Sequence, residues 1–148
     1  MDISIIIFLL GGLFLGWSLG ANDAANVFGT AVGTRMVRFK TAAIICSIFV
    51  ILGAIISGAG TTETLGKLGA INALPGAFAA CIAAGISVYL MTKAGLPVST
   101  TQAIVGAIIG WNLYTGSATN IKVLITILGT WVLCPVIAGL IAMGFFTF

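Results

Sequence analysis

Leu19-Gly-Ala-Asn-Asp-Ala-Ala-Asn-Val-Phe-Gly-Thr-Ala-Val-Gly-Thr34 sets a carboxylate, Asp23, between the amides of Asn22 and Asn26, with sequence fit for a lipid bilayer on both sides. Asp23 is one of only three carboxylates in the chain. At membrane depth an ionised side chain costs several kcal/mol unless it is paired or faces a cavity. The stretch also replaces good helix formers with Gly, Asn and Asp, which loosen the backbone or compete for its hydrogen bonds. It therefore predicts a helix broken at 19–26 within a span of 3–34. Irregular backbone inside a membrane is tolerated where it lines a cavity or is buried in protein, so the break points to a site.

The composition agrees with a membrane setting. Of 148 residues, 60% are hydrophobic and 6% charged, against about 25% charged in soluble domains. Such a chain cannot cover its own surface in water, and the class it fits is an all-α polytopic membrane protein with one domain, 1–148. A net charge of +3 is too small and scattered for nucleic acid. The chain has no histidine, which removes the commonest general base and metal ligand. Cys46, Cys81 and Cys134 lie in separate apolar runs and read as small buried hydrophobes, with neither metal-ligand spacing nor a pairing signal. Asp2 stands where a signal peptide would carry a basic residue, so the first run reads as a retained segment.

Outward from the opening stretch, residues 3–21 are uncharged and long enough to span about 30 Å as a helix. Gly12, Gly16 and Gly20 share one face and predict close packing of another helix there. Gly29 and Gly33 repeat the spacing. Arg35, Arg38 and Lys40 follow, half of the six basic residues. The positive-inside rule places them in the cytoplasm and the N-terminus outside. Residues 41–62 form a second span, and Glu63 and Lys67 read as a solvated pair in a Gly/Thr loop. After the apolar run 68–92, with Pro75 near its start, comes Lys93-Ala-Gly-Leu-Pro-Val-Ser-Thr-Thr-Gln102. Gly95 and Pro97 end one helix there, and Ser99, Thr100 and Thr101 can cap the next. That next run, 103–111, is too short to cross a membrane, and Gly106 and Gly110 suit it to tight packing. Residues 112–122 read as a loop and 123–146 as a last span, with a kink expected at Pro135. Trp17, Trp111, Trp131, Tyr89 and Tyr114 read as interfacial or packing aromatics.

Two topologies fit. Either 68–92 crosses fully and 98–111 dips in from the cytoplasm, or 75–92 and 98–111 are the arms of a hairpin re-entering from outside. In both, two interrupted segments carry the chemistry. A helix N-terminus holds about half a positive charge and unpaired N–H groups, a ready anion site. Ser99, Thr100 and Thr101 add hydroxyls in the same turn, and Gln102 can cap or line it. Asp23, Asn22 and Asn26, with freed carbonyls, offer the hard oxygen ligands that sodium takes in broken-helix transporters. An anion and a cation held side by side lower each other's cost of leaving water. The bland alternatives are a protonated structural Asp23 and hydroxyls bonded back to their own helices.

Gly20-Ala-Asn-Asp-Ala-Ala-Asn26, continuing Phe28-Gly-Thr-Ala-Val-Gly33, resembles the signature of the inorganic phosphate transporter (PiT) family. Pro97-Val-Ser-Thr-Thr-Gln-Ala-Ile-Val-Gly-Ala-Ile-Ile-Gly110 resembles the second hallmark segment of that family. The resemblance implies symport of inorganic phosphate with sodium, or with protons in some members, by a multi-pass protein of the cell membrane. It implies a site built from two inverted repeats, each giving a broken segment and a hairpin tip. Asp23 and Asn26 then fall at the first, and Ser99, Thr100 and Thr101 at the second. The inverted repeat selects the hairpin re-entering from outside, which brings Lys93 near its tip, where it could neutralise bound phosphate. This chain holds one copy of each motif, so the expected partner is a second repeat, either another copy or a missing C-terminal half. Phe148, closing an apolar run with no polar tail, points towards a fragment. Apart from the transported ion the resemblance implies no cofactor and no enzymatic step. The rivals are a sulfate permease of the same family and a passive channel or structural membrane subunit. An intramembrane enzyme would have to rely on Lys93 as its base.

Overall fold

The computed structural model describes residues 3–69 and 74–147. Asp2, Phe148 and the stretch 70–73 inside the run 68–92 lie outside the described residues. Five helices account for nearly all the rest: α1 (Ile3–Gly33), α2 (Phe39–Leu68), α3 (Leu74–Lys93), α4 (Thr100–Thr115) and α5 (Ile121–Thr147). Four of them, α1, α2, α3 and α5, are long and apolar enough to cross a membrane. The 148-residue chain exposes 10464 Å², where a compact soluble monomer of its mass would expose about 7,100 Å². The excess is apolar and concentrated on α2 and α5, at residues such as Ile55, Ile56, Val132 and Leu140. A multi-pass membrane protein is what this surface describes.

α1 and α3 lie side by side and run in the same direction. Phe8 meets Phe78 edge-on at 5.8 Å, Phe14 lies against Gly85, the Trp17 ring lies tilted against Tyr89 at 5.7 Å, and Asn22 bonds Thr92. α4 folds back along α3. The connection is closed by Gly95, whose φ of +71° favours a residue without Cβ. Around it Leu96 N–H donates to Met91 C=O and Gly95 N–H to Thr92 C=O, each at 3.0 Å, the paired bonds that satisfy a helix C-terminus. Ser99 opens α4 by accepting Gln102 N–H, and Gly116, at φ +68°, closes it. At the far end of this hairpin Leu68 C=O accepts from Asn120 N–H, and the fully buried Asn112 donates to Thr119 Oγ1 at 2.9 Å. The ends of α2 and α4 and the start of α5 are thereby fastened together. Leu68, Ala80, Val105, Ile108 and Ile127 form the core beside them.

The hairpin is short relative to its neighbours. Its tip stands beside Asn22, and the eleven residues from there to Gly33 carry α1 about 16 Å further. α2 reaches the tip's level near Ser57, which shares a groove with Thr101. From there back to Phe39 it extends about 27 Å.

Several sequence expectations are corrected. The predicted break at 19–26 is absent: α1 is helical throughout. The reason is that the polar side chains there bond sideways, to each other and to the hairpin, and leave the helical ladder intact. Glu63 and Lys67 are paired, but inside the last turns of α2 rather than in a loop. α4 runs to Thr115, past the expected end at 111, so the loop shrinks to 116–120. α5 continues through Pro135.

The glycine faces are also reassigned. A Cβ on Gly12, Gly16, Gly20, Gly29, Gly33, Gly106 or Gly110 would meet nothing within 4 Å. Close approach occurs instead at Gly11, against Phe78, and along α3 at Gly76, against Trp111, and Gly85, against Phe14. Gly76, Ala80 and Ala84, all buried, repeat at four-residue intervals and form the face that α3 turns inward.

A Cβ at Gly85 would sit 2.7 Å from the Phe14 ring, so Gly85→Ala should lower stability by about 1–3 kcal/mol. Gly12→Ala, with open space around it, should leave stability within about 0.5 kcal/mol of the parent. Thermal unfolding in detergent, followed by circular dichroism, separates the two. Equal shifts would contradict the α1–α3 packing.

Candidate functional site

The two motif segments, 76 residues apart at Asn22 and Val98, meet through one side chain. Asn22 is 4% exposed. Its Nδ2 donates to Val98 C=O at 2.6 Å and to Asp23 Oδ1 at 2.9 Å, while its Oδ1 accepts from Thr92 Oγ1 at 3.3 Å. One amide from α1 therefore holds the end of α3, the turn before α4 and the neighbouring carboxylate together. Pro97 helps end α3 here, since the residue before a proline, Leu96, is kept out of the helical region.

Beside this clasp lies a cleft of about 350 Å³ lined by Asp23 and Asn26 from α1 and by Pro97, Val98, Ser99, Thr100 and Thr101 from the turn and the first turn of α4. Asp23 is partly buried, and Asn26, Ser99 and Thr101 are exposed to the cleft and beyond. α4 points its N-terminus into this space. Among its first N–H groups, that of Gln102 is taken by Ser99 Oγ at 3.3 Å and that of Ala103 by Ser99 C=O at 3.0 Å. Those of Thr100 and Thr101 have no helical acceptor, as at any helix start. Ser99 accepts in its capping bond, so its own hydroxyl proton remains available. The Thr100 hydroxyl is buried and lacks a hydrogen-bond partner, an arrangement that costs about 1–3 kcal/mol.

The chemistry of the cleft is asymmetric. One wall carries a carboxylate and an amide; the other carries hydroxyls, free N–H groups and the positive end of a helix dipole. No cationic side chain lines it. Lys93, expected near the tip, ends α3 as an exposed residue and does not line the cleft. Gln102 contributes its backbone N–H to the cap and is likewise outside the lining. Asn22, expected among the cation ligands, is engaged in the clasp rather than lining the cleft.

Sequence reasoning missed two contributors. Thr92, the anchor for Asn22 on α3, gave no signal beyond its place one residue before Lys93. Val98 acts through its carbonyl, which no side-chain motif reveals.

Asn22→Leu keeps the size of the side chain and removes its bonds to Val98 and Thr92. It should cost about 1–3 kcal/mol and raise amide hydrogen exchange across residues 94–99, while exchange around Asn112 stays as in the parent. Unchanged exchange at the tip would show that the clasp does not hold the turn.

Comparison with known proteins matches these features to one family. The family model described as phosphate transporter family matches residues 19–148, which include both motif segments. A relative named "Putative phosphate permease" from Pyrococcus furiosus is 36% identical over 152 residues, covering 95% of this chain and 37% of the relative. One of the same name from Haemophilus influenzae is 36% identical, covering 91% of this chain and 35% of its own length. A sodium-dependent phosphate transporter from Plasmodium falciparum is 34% identical over 85% of this chain and 20% of its own length. The chain thus spans little more than a third of the two permeases and a fifth of the Plasmodium transporter. No solved structure is a significant match. With the model covering nearly the whole chain and both walls of the cleft, the protein belongs to the phosphate transporter family.

Proposed function

We propose that the chain is one repeat of a secondary transporter that carries inorganic phosphate across the cell membrane together with a cation. The observation that carries this reading is the opposition of Asp23 to the N-terminus of α4 across one cleft. Hydrogen phosphate fits the α4 wall, where Ser99 and Thr101 hydroxyls and two N–H groups can donate to its oxygens. A bare carboxylate facing that anion would repel it. A sodium ion held by Asp23 and Asn26, or a proton on Asp23, removes the repulsion, so anion and cation each favour the other's entry. Coupling then follows from electrostatics within a single site, and no covalent chemistry is involved. The name of the Plasmodium relative supports sodium as that cation.

The hairpin α3–α4 is shorter than α1 and α2, which supports a re-entrant arrangement with its tip inside the membrane and its mouth on the side opposite Arg35, Arg38 and Lys40. The cationic loop faces the cytoplasm in this arrangement. The second repeat comes from another copy or from further chain, and it covers apolar surface that this one leaves open.

Phosphate uptake into proteoliposomes, with and without an inward sodium gradient and with excess sulfate as competitor, tests the reading. Gradient-driven uptake indifferent to sulfate is the expected result, with the second repeat supplied where one copy is insufficient. Conductance that needs no gradient would replace the transporter by a channel. Asp23→Asn should abolish the cation dependence while leaving the yield of folded protein unchanged, and normal coupled uptake in this variant would remove Asp23 from the mechanism. Thr101→Val, isosteric and breaking no bond in the unloaded protein, should raise the half-saturating phosphate concentration about tenfold, the loss of one hydrogen bond to a charged group.

A further inference from the structure

A second cavity adjoins the cleft. It is a groove of about 360 Å³ between α2, α4 and the start of α5, and Thr101 lines both spaces. Its α2 wall is built from Ser57, Gly60, Thr61 and Thr64, and the opposite wall from Thr101 and the apolar Val105 and Ile127. Hydroxyls on membrane helices ordinarily return to the carbonyl four residues back. Thr34, Ser47, Thr62, Thr64, Ser87, Thr115, Thr126 and Thr130 all do so here. Ser57, Thr61 and Thr101 are exposed, and like Thr30 and Thr41 elsewhere their hydroxyls make no hydrogen bond among the described residues; these three are gathered around one groove. In hydrocarbon an unbonded hydroxyl costs several kcal/mol. Three of them around one groove call for water or a polar solute in it.

We propose that this groove is the aqueous approach to the cleft, opening on the face opposite the Arg35–Lys40 loop and handing its solute to the cleft at Thr101. The direction follows from α2, along which the lining runs from Ser57, level with the hairpin tip, to Leu65, beside the end where Leu68, Asn112 and Asn120 are fastened. No charged side chain lines it, so it conducts without trapping an ion. Hydroxyls serve phosphate as donors and water as either partner. That phosphate is the solute rests on the function proposed above; the entry of water does not.

The test uses the intact protein in cell membranes with Cys46, Cys81 and Cys134 replaced. Thr61→Cys and Ser57→Cys are exposed to a charged, membrane-impermeant thiol reagent from outside. Both should be modified at least tenfold faster than Ile55→Cys, whose position is an exposed apolar one on the same helix. Modification at 61 should also block phosphate uptake. Rates at 57 and 61 as slow as at 55, or fast only with reagent on the cytoplasmic side, overturn the proposal. Gly60→Leu gives a second reading, because a Cβ there meets nothing within 4 Å and the side chain would fill the groove. Uptake should fall at least fivefold in Gly60→Leu while Gly53→Leu, also unobstructed and outside the lining, stays near the parent. Equal uptake in the two overturns the route. Slow labelling with intact phosphate uptake would sink the groove alone, whereas fast labelling in a protein that takes up no phosphate would sink the solute and leave the water path.

Discussion

A single amide, that of Asn22, holds the two halves of the site together. It is buried, and its bond to the Val98 carbonyl is the shortest of the polar contacts around the hairpin tip. Without it, the turn 94–99 would rest on Pro97 and on the caps of α3 and α4. Those fix the shape of the turn and not its position against α1. A backbone carbonyl withdrawn from water needs a donor, and α1 supplies one through Asn22. The clasp thus satisfies a polar group that would otherwise forbid the hairpin from stopping where it does. The same amide steadies Asp23 from the side, so the placement of the carboxylate and of the α4 N-terminus are one structural event.

The clasp leaves a small, open cleft beside it. The groups that α4 turns towards it are backbone N–H groups and short hydroxyls, which would lose little conformational freedom on taking a ligand. Arginine or lysine would hold an oxyanion more tightly, and under the proposed function a carrier that must release its cargo would gain nothing from that. On the function proposed above, the positive charge would come with the co-transported cation and leave with it, so that affinity for the anion would depend on whether that cation is bound.

Much of this was legible in the sequence, and the gaps have physical causes. The residues lining the cleft, Asp23, Asn26, Ser99, Thr100 and Thr101, could all be singled out, because polar groups in apolar sequence are costly enough to need a reason. The unbroken α1 could not. Asn and Asp weaken a helix when their side chains bond to its backbone, and here Asn22 bonds Val98, 76 residues away, and Asp23 beside it. The clasp itself was hidden for the same cause: a carbonyl acceptor has no sequence signature. The glycine spacing at 12, 16 and 20 states a capacity for close approach, and only tertiary structure shows which such face is used within the chain. On α3 the used face is made of Gly76, Ala80 and Ala84, where alanine carries the signal as well as glycine.

The division of the helices into two sets follows from the same packing. α1, α3 and α4 are joined by the clasp, by the aromatic contacts along α1 and α3, and by small residues that let the backbones approach. α2 and α5 meet this unit chiefly near Leu68, Asn112 and Ile127, and elsewhere present apolar surface outwards. Between the sets lies the hydroxyl-lined groove. A seam of this kind cannot be dry and unbonded at once: either helices close on it, or water enters. α2 keeps Gly60 and Thr61 there in place of the larger aliphatic residues found elsewhere along it, which leaves the seam too wide for side chains to close. The same looseness that makes α2 and α5 poor contributors to the core therefore leaves the hydroxyl-lined groove open beside the N-terminus of α4.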